Sequence, residues 1–285
     1  MKLGIVFEGG ASRSLFSCGV MDALLEENII ADYVIGVSAG IAYGTSYVSK
    51  QIGRNLELSL KYMHDKRYMG FRHLLNPKNR SYYNRAFAFN QIPKELVLFD
   101  FDAFAKSQST TIATLTNIKT GKPEYFTLPC DDWDRHISIL WASCALPFLF
   151  QPEEIDGNLY LDGGCSDPIP YRKAIEDGCD KVICVLTRER EYQKISDFSP
   201  KIMRHTLKKY PNLVKALEER SVKYNKVRGE LFDLADKNKV IVITPDSTVG
   251  FKRTERNPEK LKALFDDGHS ITINMLDKIK EYLNI

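Results

Sequence analysis

Several features that would narrow the field are missing from this sequence. No uninterrupted apolar run approaches the ~20 residues that span a bilayer, so no transmembrane segment is expected. The opening Met1 to Glu8 is too short for a secretory h-region and is broken at once by Glu8 and Gly9, so no signal peptide is expected either. Charge of neither sign dominates: 40 Lys and Arg stand against 37 Asp and Glu, and a net +3 is too small to point to nucleic acid. The cysteines at 18, 130, 144, 165, 179 and 184 make no C-x-x-C pair and have no histidine at zinc spacing. Metal and disulfide frameworks are thereby set aside, and reduced thiols in a cytoplasmic protein are expected. The glycine loop Glu8 to Ser14 has neither the G-x-G-x-x-G of a dinucleotide site nor the G-K-[ST] of a phosphate loop. Internal repeats and low-complexity linkers are absent as well.

What is present is the composition of an ordinary globular chain, 44% hydrophobic and 27% charged over 285 residues. Leu3 to Phe7 reads as a short buried strand, Ala11 to Asn28 as a helix with Phe16, Val20, Leu24 and Leu25 near helical spacing, and Ile29 to Val37 as a second strand. Strand, glycine loop, helix, strand is a βαβ unit, which predicts a parallel sheet covered on both faces. Thr110–Asn117 and Glu124–Leu128 predict a hairpin, and Ile137 to Ala145 a helix. Lys181 to Thr187 and Val240 to Thr244 predict further buried strands, separated by a basic helix whose stripe of Leu213, Leu217, Tyr224, Val227, Leu231 and Leu234 packs on the sheet. Closing helices are expected over Pro258 to Leu283. The expected architecture is a three-layer α/β/α fold with a mainly parallel central sheet. It forms one domain over 1–285, with a cap-like insertion at about 50–110 and a helical region at about 196–285.

The insertion has its own character. From Lys61 to Arg85, the cations Lys61, Lys66, Arg67, Arg72, Lys78, Arg80 and Arg85 stand against a single acid, Asp65, with Tyr62, Tyr68, Phe71, Tyr82 and Tyr83 interleaved. That mix suits a cap that rests near an anionic lipid surface or lines an acyl pocket, and equally a solvated cover over the sheet.

Gly36-Val37-Ser38-Ala39-Gly40 directly follows the apolar run Tyr33-Val34-Ile35. A G-x-S-x-G pentapeptide after a strand reads as a nucleophile elbow, in which glycines permit a tight bend and keep bulk from the serine hydroxyl. Ser38 would then stand at a helix N-terminus, where free N–H groups and a positive partial charge gather. Loops after adjacent parallel strands share one edge of the sheet, so the N–H groups of Gly9, Gly10 and Ala11 would face Ser38 as an oxyanion hole, with Arg13 as a nearby fixed charge.

A serine hydroxyl needs a base. Tyr160-Leu161-Asp162-Gly163-Gly164 places a carboxylate at a strand end on a loop whose glycines allow close approach. Ser38, Asp162 and His269 would satisfy a Ser, Asp, His order, yet the elbow follows only the second strand, unlike the usual α/β-hydrolase. The other arrangement is a dyad, in which partial desolvation makes Asp162 basic enough to take the serine proton itself.

Taken together these residues resemble the patatin-like phospholipases and lipid acyl hydrolases, in particular bacterial patatin-like proteins. Ser38 within Gly36 to Gly40 matches the family's nucleophile, Asp162 with Gly163 and Gly164 its base, and Gly9 to Arg13 its glycine-rich oxyanion loop. Ala142-Ser143-Cys144-Ala145-Leu146-Pro147 is similar to the family's A-S-x-A-x-P segment. Two positions depart from the pattern: Ala11 stands where a third glycine is usual, and Ser14 where a glycine follows the basic residue. Ala11 suits the loop at a negative φ and strains it at a positive one.

The resemblance implies a serine esterase of phospholipase A or lysophospholipase type, acting on a lipid acyl ester through an acyl-enzyme. No metal and no organic cofactor are implied, nor any nucleic acid partner. Cytoplasmic localisation with peripheral contact at the anionic inner membrane face is expected. The alternatives are a catalytically silent lipid-binding or regulatory module, and a Ser-His-Asp esterase using His269.

Overall fold

The structure, a computed structural model, describes residues 1–77, 79–195 and 199–285; Lys78 of the basic segment and the start of the expected helical region lie outside the described residues. Strands β1 (Leu3–Phe7), β2 (Tyr33–Val37), β3 (Thr110–Asn117), β4 (Pro123–Thr127), β5 (Glu153–Ile155), β6 (Asn158–Asp162), β7 (Lys181–Val185) and β8 (Ile241–Ile243) form one sheet. Its order is β5-β6-β3-β2-β1-β7-β8, with β4 also paired to β3. The run β3-β2-β1-β7-β8 is parallel, while β4, β6 and β5 extend it antiparallel.

Strands buried on both faces need apolar residues at every position, and β1 and β2 are buried throughout. Successive side chains feed opposite cores: Ile5 and Phe7 enter one cluster and Val6 the other, as do Val34 against Tyr33 and Ile35. Helices α1 (Leu15–Glu26), α2 (Ala39–Val48), α3 (Arg54–Tyr62), α4 (Phe101–Lys106) and α5 (Trp133–Cys144) come in the first half of the chain. They are followed by α6 (Tyr171–Glu176), α7 (Pro200–Thr206), α8 (Pro211–Asp236), α9 (Pro258–Asn274) and α10 (Leu276–Leu283). Apolar residues of α1, α2, α5 and α9 fill the first cluster, and residues of α6 and α8 meet the second. Helices therefore cover both faces of the sheet, as the alternating pattern predicts.

Chain reversal sets the place of the site. From β1 the connections run towards β2 and β3, whereas β7 returns to the opposite flank of β1. In an open α/β sheet the crevice at such a reversal, beyond the carboxyl ends of the strands, is where loops diverge and ligands fit. The loops after β1, β2 and β7 all open there.

Residues 50–110 fold as α3, a short 3-10 turn at Phe71–His73, a π-helical stretch at Phe87–Leu96 that contains Pro93, and α4. Two of the segment's cations lie in surface pairs, Lys61 with Glu57 at 2.6 Å and Arg67 with Asp65 at 2.8 Å. Arg85 staples the segment to the main body through Glu153 at 2.8 Å and Ser138 at 2.8 Å. Leu58, Tyr68, Tyr83, Phe89 and Phe99 of the insertion instead turn inward and line a cavity with Ser38, while Phe71 and Leu75 stay exposed. Among the described residues no helix is long and apolar enough to cross a membrane.

Candidate active site

Ser38 follows the last residue of β2 and precedes α2. Its φ of +54° and ψ of −134° lie where a residue with a Cβ is strained, at a cost on the order of 1–3 kcal/mol. Neighbouring contacts hold it there. The Ser38 N–H donates to Ser143 Oγ at 2.9 Å, and Ser143 Oγ in turn donates to Thr114 O of β3 at 2.9 Å. A Cβ on Gly40 would lie 2.6 Å from the carbonyl oxygens of Phe7 and Glu8, so only glycine lets the first turn of α2 press against the end of β1. Gly36 sits within β2 itself.

Gly9 brings the neighbouring loop to the same point, since a Cβ there would stand 2.9 Å from Ser38 Cβ. Among the described residues the N–H groups of Gly9, Gly10 and Ala11 donate to no protein acceptor, while Glu8 N and Ser12 N on either side are bonded to Val185 O and Arg253 O. A short 3-10 turn then runs over Ala11–Ser14 into α1. Ala11 has a φ of +49°, so the negative value that suits alanine is not the one adopted. The left-handed residue turns the chain from the strand end into the 3-10 turn, at a cost of roughly 1–2 kcal/mol for an L-residue.

Asp162 closes β6 and lines the same cavity as Ser38. The carboxyl is 2% exposed and its Oδ1 accepts the Gly164 N–H at 2.8 Å. Gly163 and Gly164 form the 3-10 turn that supplies this donor. Burial raises the Asp162 pKa above the ordinary carboxylate value; the Ser38 hydroxyl, the charge of Arg220, the Gly164 N–H and the charge of Arg253 oppose that rise. Cys144 lines the apolar cavity with Ser38, and burial pushes its thiol well above the usual range.

Two cavities meet at Ser38, sharing Ala11, Ser38 and Leu146 as walls. The larger, about 130 Å³, is apolar and aromatic, lined among others by Leu58, Tyr68, Phe89, Phe99, Trp141 and Phe150. Part of its wall comes from residues 54–99. The smaller, about 50 Å³, holds Asp162, the Gly9-Gly10 loop and Arg13. Arg13 is buried, and burial together with the charges of Arg188 and Arg253 lowers its pKa to about 10, so it remains a cation at neutral pH.

His269 is placed elsewhere. It lies on α9, pairs with Glu26 of α1 at 2.8 Å, and no histidine lines either cavity among the described residues. Sequence reasoning does not single out Ser143 as the clamp on the elbow, although Ser143 lies within the motif-like segment Ala142 to Pro147. Nor does it single out Glu8, which accepts from Thr187 N at 2.6 Å and Tyr224 Oη at 2.6 Å and ties the donor loop to β7 and α8. A charged residue closing an otherwise apolar strand is the only local signal for it.

Comparison with known proteins gives the same outline. A family model described as patatin-like phospholipase matches residues 5–175, and a second, for a domain of unknown function (DUF6363), matches residues 210–284. The uncharacterised protein YjjU of Escherichia coli (strain K12) is 24% identical over 195 residues, which cover 65% of this chain and 52% of that protein. The chain thus spans about half the length of this curated relative. Among solved structures, VipD from Legionella pneumophila aligns with a TM-score of 0.52 at 14% identity, covering 97% of this chain and 67% of VipD, a likeness of fold alone.

Proposed function

The chain belongs to the patatin-like phospholipase family, and from that premise we propose that it is a serine esterase for lipid acyl esters working through a Ser38–Asp162 dyad. One observation carries the reading: a strained serine shares a cavity wall with a buried carboxylate, beside unpaired backbone donors and next to an apolar cavity.

In this reading Ser38 Oγ attacks the ester carbonyl while its proton passes to Asp162. Charge on the carbonyl oxygen is met by the N–H groups of Gly9, Gly10 and Ala11, with Arg13 adding a fixed positive charge behind them. Collapse of the tetrahedral adduct expels the alcohol, which takes the proton from Asp162 and leaves an acyl-Ser38 ester. Water then enters and gives its proton to Asp162 as it attacks, and collapse releases the fatty acid and returns the proton to Ser38. Asp162 suits the role because burial raises its basicity above that of a solvated carboxylate, and because it is oriented by Gly164. The apolar cavity would take the acyl chain, whose burial is worth ~0.8 kcal/mol per methylene.

We also propose that the whole chain works as one patatin-like domain, cytoplasmic and in peripheral contact with the anionic inner membrane face. Supporting this, Phe71 and Leu75 of the insertion are 72% and 86% exposed, among the cations Arg72 and Arg80, and the six cysteines are free.

A panel of acyl esters from short-chain nitrophenyl esters to lysophospholipids and phospholipids tests the reading. Wild type should release fatty acid and Ser38→Ala should not. Absence of hydrolysis across the panel would leave the silent lipid-binding module instead.

A further inference from the structure

Ser38 stands at a junction of two unlike chambers, and a substrate whose ester carbon sits there must place its acyl chain in one and its alcohol in the other. The apolar chamber suits only the chain. The alcohol side is therefore the smaller chamber, into which five cations converge: Arg13, Arg188, Lys194, Arg220 and Arg253. Among the described residues, the chamber wall sets two carboxylates against them, Glu8 and Asp162.

Neither carboxylate is available to a cationic ligand. Glu8 is occupied by Thr187 N at 2.6 Å, Thr187 Oγ1 at 3.1 Å and Tyr224 Oη at 2.6 Å, and Asp162 Oδ1 accepts the Gly164 N–H at 2.8 Å. The chamber's two tyrosines already carry the protein's own cations, the Arg188 guanidinium 4.4 Å from the Tyr192 ring centre and Lys194 Nζ 5.3 Å from that of Tyr224. A choline or ethanolamine group would enter this space against like charge and with no free aromatic cage.

The cations are built in. Arg220 Nε donates to Gly164 O at 2.5 Å, two residues from Asp162, and Arg188 Nη1 donates to Thr248 Oγ1 at 2.5 Å. Among the described residues the buried Nε–H groups of Arg13 and Arg188 have no acceptor. Arg13 is also lowered to about 10 by burial and by Arg188 and Arg253, as expected where like charges are gathered. Guanidinium groups converging in this way match the oxygens of a phosphate better than any neutral polyol.

We propose that this chamber binds a phosphate monoester on the leaving alcohol, so that the preferred substrate is the acyl ester of a phosphorylated alcohol. The inference rests on the reading of Ser38 as nucleophile for its orientation, though not for the binding itself. It also gives the C-terminal part of the chain a role, since Arg188, Lys194, Arg220 and Arg253 all follow residue 175. They supply headgroup recognition to a catalytic apparatus built by the residues before them.

Calorimetric binding to the full chain, with ether ligands that no esterase can cleave, tests this. The probes are 1-O-octylglycerol 3-phosphate, 1-O-octylglycerol, 1-O-octylglycero-3-phosphocholine and inorganic phosphate, all at pH 7.5. The phosphomonoester should bind at least ~10-fold more tightly than each of the other three. Arg188→Gln and Arg253→Gln should each weaken it ~10-fold or more while shifting octylglycerol far less, and Arg253→Lys, which keeps the charge, should recover part of the loss. Equal binding of the neutral and phosphorylated ethers, or equal weakening of both by the variants, overturns the inference. So does inorganic phosphate binding as tightly as the alkyl ligand, which would mark a site for the free ion. Matched acyl esters separate the two readings: a phosphate preference in binding without any hydrolysis removes the esterase and keeps the chamber, whereas hydrolysis with no phosphate preference does the opposite.

Discussion

Ser143 Oγ accepts the Ser38 N–H at 2.9 Å and donates its own proton to Thr114 O at 2.9 Å, so the strained elbow is clamped to the adjacent strand β3 by one hydroxyl from α5. Because Ser143 is fully buried, losing its hydroxyl removes the acceptor of the Ser38 N–H and a donor to Thr114 O, at a residue whose backbone is costly to hold. Ser143→Ala is expected to lower stability by about 1–3 kcal/mol. It should also slow acylation of Ser38 by ~10-fold or more, because the hydroxyl no longer sits in a fixed attack geometry. Urea unfolding together with single-turnover acylation checks this. A loss of stability with unaltered acylation would show that the bond holds the fold but not the nucleophile.

The donor loop carries a second strained residue. Ala11 holds a φ of +49° next to N–H groups that must stay free, and glycine would adopt that backbone without a steric penalty. Ala11→Gly is expected to be neutral to stabilising by up to about 1 kcal/mol, since relief of the left-handed strain is partly offset by the greater freedom of glycine in the unfolded chain. Ala11→Val should be destabilising, because a β-branched residue tolerates positive φ least. Thermal unfolding of the pair decides, and a stabilising valine would contradict the assigned backbone.

How much of this is legible in the sequence divides along a physical line. The elbow, the glycine loop and the Asp162 turn are local patterns, each dictated by a backbone conformation that few residue types allow, and the structure brings them to one edge of the sheet. Strands β1, β2 and β7 are legible because both faces are buried and, apart from Lys181 at the start of β7, every position is apolar or small. The antiparallel extension by β6 and β5 is not, since pairing direction depends on where a long connection delivers the strand. Ser143 acts across 105 residues of sequence, and the cationic chamber collects side chains from four separate segments. No spacing rule encodes either. Composition leaves the basic and aromatic insertion between two readings, because it does not say which side chains face inward. In the structure Tyr68 and Tyr83 line the cavity while Lys61 and Arg67 pair at the surface.

Away from the site, Asp22 of α1 is 3% exposed and accepts the Gly53 N–H at 2.7 Å, and burial raises its pKa to about 6. Between about pH 4 and 6 the native state therefore retains a proton that the unfolded chain has released, so this group's contribution to stability falls as pH rises through that window. Asp22→Asn should remove the slope and raise stability at pH 7.5 by on the order of 1–3 kcal/mol. Denaturant midpoints from pH 4.5 to 7.5 measure it, and an unchanged slope in the variant would place the titration elsewhere.

The account stands most directly on the Ser38–Asp162 pair, and covalent labelling by a fluorophosphonate with peptide mapping tests it. The expected result is modification of wild type at Ser38, none in Ser38→Ala, labelling slowed ~100-fold or more in Asp162→Asn, and a near wild-type rate in His269→Ala. Because Asp162 must be ionised to take the proton, the wild-type rate should rise with pH along an acid limb set above the ordinary carboxylate value of about 3.9, and Asp162→Asn should lose that limb. A wild-type protein that does not label, or one whose labelling survives Asp162→Asn and vanishes in His269→Ala, would contradict the dyad.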